Sequence, residues 1–143
     1  MHFFHNKNLR NIEVICKKTA IILHNIENMI IPGVNALNID NEIKRLSFMH
    51  NVTSATLDYH GFPKSSCVSI NNVACHGIPT DKEILKNGDI VNIDLTMFRN
   101  GYYGDVSRTF CIGKIKNRLR KLINVAEESL YLAINEIKVG RRI

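Results

Sequence analysis

A regular alternation of apolar and polar residues runs through Ile90-Val91-Asn92-Ile93-Asp94-Leu95-Thr96-Met97-Phe98, and Asn100-Gly101 stands just beyond it. Successive side chains of a β-strand point to opposite faces. This stretch is therefore a strand with Val91, Ile93, Leu95 and Met97 on an apolar face and Asn92, Asp94 and Thr96 on a polar one. Asn-Gly is the strongest two-residue hairpin signal, because both central residues of a type I′ turn need positive φ. A partner strand over about Tyr102 to Ile112 follows. The pattern commits the chain to an antiparallel sheet with one face on a core.

With a two-residue loop, Arg99 faces Tyr102, Thr96 faces Asp105 and Asp94 faces Ser107. Asp94 and Asp105 are then diagonal neighbours on the polar face, with Cα atoms roughly 7–8 Å apart and side chains free to converge. A three-residue loop would reverse the parity and separate them. Two converging carboxylates repel unless one is protonated or a cation lies between them. Oxygen ligands on adjacent strands suit Mn²⁺, Fe²⁺, Co²⁺ or Zn²⁺, although two are too few for a catalytic site. Spacing alone is equally compatible with a solvated hairpin face that happens to carry Asp, Ser and Thr.

The rest of the chain reads as scaffold around this hairpin. Leu9, Ile12, Cys16, Thr19, Leu23, Ile26 and Met29/Ile30 recur at intervals of three and four, which predicts one amphipathic helix over about 9–30, ended by Ile31-Pro32-Gly33. Asn35 is placed as the N-cap of a second helix over about 36–49, with Leu37, Ile43, Leu46 and Met49 on its buried stripe. Short β-branched segments broken by turns occupy about 52–112. A last helix over about 117–138 turns Leu119, Leu122, Val125, Leu130, Ala133 and Ile137 inward, with Gly140 as its stop. The expectation is one α/β domain, helices packed on an antiparallel sheet, over 1–143.

Cys16, Cys67, Cys75 and Cys111 form no C-x-x-C pair, so they read as small buried apolar residues in a reducing compartment rather than a zinc or disulfide framework. No stretch is long and apolar enough to span a membrane, and the start lacks the layout of a secretory signal. A soluble, cytoplasmic protein is expected. The net charge of +6 is spread along the chain, apart from Arg118-Leu119-Arg120-Lys121, and is not interleaved with aromatics, so DNA is not an expected partner. Of the histidines, His76 in Cys75-His76-Gly77-Ile78-Pro79 is held in a turn at a strand end. His2, His5, His24, His50 and His60 are not expected to be ligands.

Tyr59-His60-Gly61-Phe62-Pro63-Lys64-Ser65, then Ser69-Ile70-Asn71-Asn72-Val73-Ala74-Cys75-His76-Gly77-Ile78-Pro79, then Asn87-Gly88-Asp89-Ile90-Val91-Asn92-Ile93-Asp94, and finally Gly104-Asp105 with Ser107 resemble, in order and spacing, the N-terminal half of the type I methionine aminopeptidases of peptidase family M24. The resemblance implies half of a pita-bread fold, in which two similar α/β halves surround a curved antiparallel sheet holding two divalent ions (Co, Mn, Fe or Zn). It implies hydrolysis of the bond after the initiator methionine of nascent proteins, with ribosome proximity and a monomeric state.

Carried over residue by residue, Asp94 resembles the family's chelating carboxylate and Asp105 its bridging one. His76 is similar to the histidine that contacts substrate near the scissile amide. Tyr59, Phe62 and Cys67 resemble the lining of the methionine side-chain pocket. Asn71 and Val73 fall where backbone carbonyls hold a monovalent cation, and Thr96 falls beside the metals in a supporting role. Two positions depart from the pattern: Thr56 stands where many relatives carry cysteine, and Asp58 stands where a small residue is usual.

The same resemblance places a further histidine and two glutamate ligands, one of them the general base, and a second substrate-contacting histidine in the other half of the fold. The chain is expected to be truncated relative to that family and to lack them. Three readings stay open: a piece of an active peptidase, a catalytically silent remnant, or a non-catalytic binding module of the same fold.

Overall fold

The computed structural model describes residues 6–142. Helix α1 spans Asn6–Asn25 and is followed by a 3-10 turn at Glu27–Met29. Helix α2 is Ala36–Met49, and the strands are β1 (Thr53–Ser54), β2 (Cys67–Ile70), β3 (Ile90–Arg99) and β4 (Tyr102–Cys111). Helix α3 is Asn117–Asn135.

The β3–β4 hairpin forms because Asn100 and Gly101 both adopt positive φ, 52° and 85°, the left-handed geometry of a two-residue turn. Arg99 pairs with Tyr102, Thr96 with Asp105 and Asp94 with Ser107. Strand β3 is central. On its other edge β1 pairs at Thr53↔Phe98 and Ser54↔Met97, and β2 pairs at Cys67↔Asp94 through Ile70↔Val91, all antiparallel.

Val91, Ile93, Leu95 and Met97 are fully buried against Ile15, Ile22 and Ile26 of the α1 segment and Ile39, Ile43 and Leu46 of α2, giving one core on one side of the sheet. The α1 helix reaches the sheet at Gly104. A Cβ there would lie 2.7 Å from Thr19 Oγ1 and 2.9 Å from the Cys16 nitrogen. The buried Thr19 hydroxyl donates to the Ile15 carbonyl at 2.8 Å and to the Gly104 carbonyl at 3.3 Å, which ties helix to strand. Asn35 caps α2 by accepting from the Asn38 N–H at 2.8 Å.

Each helix differs from its expected stripe. In α1 the buried line is Ile15, Thr19, Ile22, Leu23 and Ile26, while Leu9 is 51% exposed and Cys16 also faces solvent. The helix carries apolar residues on more than one face, and the close approach at Gly104 selects which face is covered. The helix also stops at Asn25, short of the 9–30 span expected.

In α2, Ala36 and Ile39 join Ile43 and Leu46 in the core, Leu37 is half-buried, and Met49 at the helix end is 65% exposed. In α3 no residue is buried: Leu119 is half-buried, and Leu122, Val125, Leu130, Ala133 and Ile137 are exposed. Periodicity identifies an apolar stripe but not whether anything lies against it. The cysteines divide likewise, Cys67 buried and Cys111 intermediate, but Cys16 and Cys75 exposed, because Cys75 sits in the open turn before His76.

Candidate functional site

The face of the hairpin turned away from the helices carries Asn92, Asp94, Thr96 and Phe98 on β3 and Tyr103, Asp105, Ser107 and Thr109 on β4. Asp94, Thr96, Phe98, Tyr103 and Asp105 of this face form the floor of a cavity of about 1010 Å³. Asp94, Asp105, Thr96, His76, Tyr59, Phe62 and Cys67 all line that cavity. One space thus collects side chains from three strands and two loops that lie far apart in sequence.

Asp94 and Asp105 interact directly. The Asp94 carboxyl is raised above the ordinary aspartate value, first by burial, then by the charge of Asp105 and a hydrogen bond with it, and is lowered in part by His76. Neither carboxylate has a Lys or Arg ion-pair partner among the described residues. Such a pair is electrostatically unsatisfied and gains from a cation placed between its oxygens.

Cys67 lies on β2 directly opposite Asp94. Burial, reinforced by the Asp94 charge, pushes its thiol up to about 11. At neutral pH it is a neutral, weakly polar wall and not a thiolate ligand. Asn92 bridges Ser107 and Thr109 across the strands at 2.9 and 3.1 Å, which holds the two strands level below the carboxylates.

The loop over the cavity is wound through left-handed backbone. Asp58, His60 and Gly61 have φ of 64°, 48° and 82°. Asp and His are among the residues that tolerate this region most readily. The winding sets Tyr59 and Phe62 into the lining, with the His60 ring edge-on to Tyr59 at 4.4 Å. Below it, the Ser54 hydroxyl donates to the Ser65 carbonyl at 2.8 Å and lies 2.9 Å from Thr56 Oγ1, closing the loop at its base. His76 also has positive φ, 54°, in the exposed turn that β2 holds through Val68 N–H donating to the Gly77 carbonyl at 3.0 Å.

The expectation for Asn71 and Val73 is a separate monovalent-cation position held by backbone carbonyls, not a place in this cavity. Asn71 and Val73 lie in the exposed turn after β2 and are not among its lining residues. Asn71 instead donates from Nδ2 to Asp89 at 2.9 Å and accepts from the Ile90 N–H at 3.2 Å, pinning that turn to the start of β3. Asp58 is also outside the lining, whereas Thr56 is within it.

Sequence reasoning missed His60, Ile78, Phe98 and Tyr103, all of which line the cavity. Phe98 and Tyr103 are opposed across the hairpin, rings 4.9 Å apart. The register that placed Asp94 also put both rings on its face, so that signal was present. His2 and His5 lie outside the described residues.

Two carboxylates fit a divalent ion pair in part. Among the described residues, no group of three or more His, Cys, Asp and Glu side chains is arranged to hold a metal. Nor is any helix among them long and apolar enough to cross a membrane.

Helices packed on one face of an antiparallel sheet, with paired aspartates on the other, agree with the class that the family comparison shows: the chain belongs to metallopeptidase family M24, whose model matches residues 10–143. Curated relatives that it resembles within that family include methionine aminopeptidases. It is 42% identical over 132 residues to the methionine aminopeptidase of Buchnera aphidicola, covering 92% of this chain and 51% of that one. The methionine aminopeptidase structure from Rickettsia prowazekii superposes with a TM-score of 0.88 at 37% identity, covering 92% of this chain and 52% of that one. The one from Thermotoga maritima gives 0.95 at 29% identity, with 99% and 57% covered. The fold is the pita-bread fold of these structures. The chain spans about half the length of the curated relatives it matches.

Proposed function

We propose that this chain supplies one half of the active site of a methionine aminopeptidase, an enzyme that removes the initiator methionine from nascent proteins in the cytoplasm. The observation that carries the reading is the interacting Asp94 and Asp105 pair on the floor of a cavity walled by Tyr59, Phe62 and Cys67. The described residues act as a single domain.

In this reading Asp94 and Asp105 would be the two carboxylates that hold the divalent ions, Asp94 as a ligand of one and Asp105 as the ligand they share. Bound Co²⁺, Mn²⁺, Fe²⁺ or Zn²⁺ would supply Lewis-acid polarisation of the scissile carbonyl and an acidified water. Thr96, directly opposite Asp105, steadies that carboxylate. Tyr59, Phe62 and the neutral Cys67 thiol receive the methionine thioether, for which soft, apolar walls are suited. His76 donates a hydrogen bond near the scissile amide. The carbonyls of Asn71 and Val73 hold a monovalent cation at the edge of the sheet, away from the reacting bond.

Substrates are the N-terminal Met segments of nascent chains, met near the ribosome, with neither DNA nor a membrane as partner. The chain alone is catalytically silent, because its described residues provide two ligand carboxylates and no complete metal cage. Calorimetric titration of Mn²⁺ into the full chain tests the assignment. Binding that vanishes in both Asp94→Asn and Asp105→Asn is expected, and binding unchanged by either substitution overturns it.

A further inference from the structure

Asp40 on α2 is the one buried carboxylate among the described residues. Among them no Lys, Arg or His forms an ion pair with it. It accepts a hydrogen bond at Oδ1 from the hydroxyl of Ser66, itself fully buried, at 2.8 Å. Taking a charge out of water without a counter-ion is unfavourable, and an apolar side chain packed at the same place would serve the core better. Packing alone does not account for a carboxylate here.

Its partner points to the use. Ser66 ends the loop that carries Tyr59 and Phe62, and it immediately precedes Cys67 at the start of β2. Three successive residues are held at this return: the Lys64 carbonyl by the Thr56 hydroxyl at 3.3 Å, the Ser65 carbonyl by the Ser54 hydroxyl at 2.8 Å, and the Ser66 hydroxyl by Asp40. The first two close the loop on its own base. The third ties it to a helix 26 positions away. Cys67 opposes Asp94 and so shares its cavity face, whereas Ser66 turns to the helix side behind it.

We propose that Asp40 is a positioning residue of the cavity wall: through Ser66 it fixes where the loop enters β2, and with it the place of Cys67 beside Asp94. The inference deepens the proposed function, since it rests on reading that wall as the methionine pocket.

Alkylation of Cys67 by iodoacetamide in the folded full chain tests it, with peptide mass mapping to separate Cys67 from the exposed Cys16 and Cys75. A buried thiol reacts only when its surroundings open, so the rate reads local opening. Asp40→Ala and Ser66→Ala are each expected to speed the reaction about tenfold, and the double variant no further, because the two residues act as one unit. Asp40→Asn keeps an oxygen for the Ser66 hydroxyl and stays within about threefold of wild type. A pure effect of the Asp40 charge on the thiol would appear equally in Asp40→Asn. Ile43→Val, in the core three residues along α2, lowers global stability and leaves Cys67 protected. Ser66→Ala, which removes a single hydroxyl, keeps the comparison if Asp40→Ala does not fold.

Cys67 as protected in Ser66→Ala as in wild type, Asp40→Asn as fast as Ser66→Ala, or an equal acceleration in Ile43→Val overturns the proposal. The assay contains neither metal nor methionine, so such a result strikes Asp40 alone, whereas failure of the active-site reading shows in the Mn²⁺ titration.

Discussion

Asp94 and Asp105 sit diagonally across the β3–β4 hairpin, each directly opposite a hydroxyl residue, Ser107 and Thr96 respectively. The native state therefore holds two like charges together, and Asp94 takes up a proton more readily than an ordinary aspartate. A carboxyl raised in the folded state favours folding below its unfolded pKa, about 3.9, and loses that contribution as pH rises through the raised value.

Asp94→Asn accordingly stabilises the metal-free protein at pH 7. The gain is no more than about 1 kcal/mol, because Asp94 is only half-buried and solvent screens the pair. The difference from wild type shrinks as pH falls towards 3.5. Thermal unfolding of both proteins at pH 7 and pH 3.5 measures this, and a variant less stable than wild type at pH 7 would contradict it.

Divalent ions act in the opposite sense to protons on the same pair. Mn²⁺ raises the Tm of the wild-type chain, EDTA reverses the rise, and the rise becomes smaller as pH is lowered because protons compete for the carboxylates. Asp105→Asn removes the response at every pH. A Tm that rises equally in wild type and Asp105→Asn would place the ion elsewhere.

Gly104 fixes the distance between α1 and the hairpin one residue away from Asp105. Its Cβ would fall 2.7 Å from Thr19 Oγ1 and 2.9 Å from α1 backbone atoms, so Gly104→Ala forces helix and strand apart. A loss of about 1–3 kcal/mol is expected from such overpacking. Chemical denaturation measures it, and weaker Mn²⁺ binding accompanies it as Asp105 shifts. A change under 0.5 kcal/mol would show that α1 yields freely.

Ile93 and Leu130 are both apolar residues at periodic positions, yet only Ile93 is buried. Ile93→Ala costs about 2–5 kcal/mol through the cavity it leaves under the sheet. Leu130→Ala changes core stability by less than about 0.5 kcal/mol. Equal costs at the two positions would mean that α3 packs on the core.

Methionine release from a Met-Gly-type peptide with added Mn²⁺ or Co²⁺ is expected to stay at background for this chain alone. Metal-dependent release that is lost in Asp94→Asn would overturn the silent half-site.

Local chemistry made much of the scaffold legible. Asn100-Gly101 demanded a two-residue turn, that turn set the strand register, and the register put Asp94, Thr96 and Asp105 on one face. Asn35 announced its helix by the oxygen it offers to Asn38. Other features were hidden because they depend on what lies across space. Nothing local tells Ile15 from Cys16 as the buried neighbour of β4. The winding of Asp58-Tyr59-His60-Gly61 is settled by hydrogen bonds from Ser54 and Thr56 to Lys64 and Ser65, residues eight or more positions away.

The amino-acid sequence by itself determined the hairpin, its register and the motifs that mark family M24, because a turn's φ requirement and a strand's two-residue period act between neighbours. Only the tertiary structure decided that Cys67, Phe62, Tyr59 and His76 converge on the aspartates, that Asn71 and Val73 stay outside that cavity, and that α3 finds no cover on the core. Burial and electrostatic coupling are properties of surfaces brought together from distant parts of the chain, and apolar periodicity specifies a surface without specifying its partner.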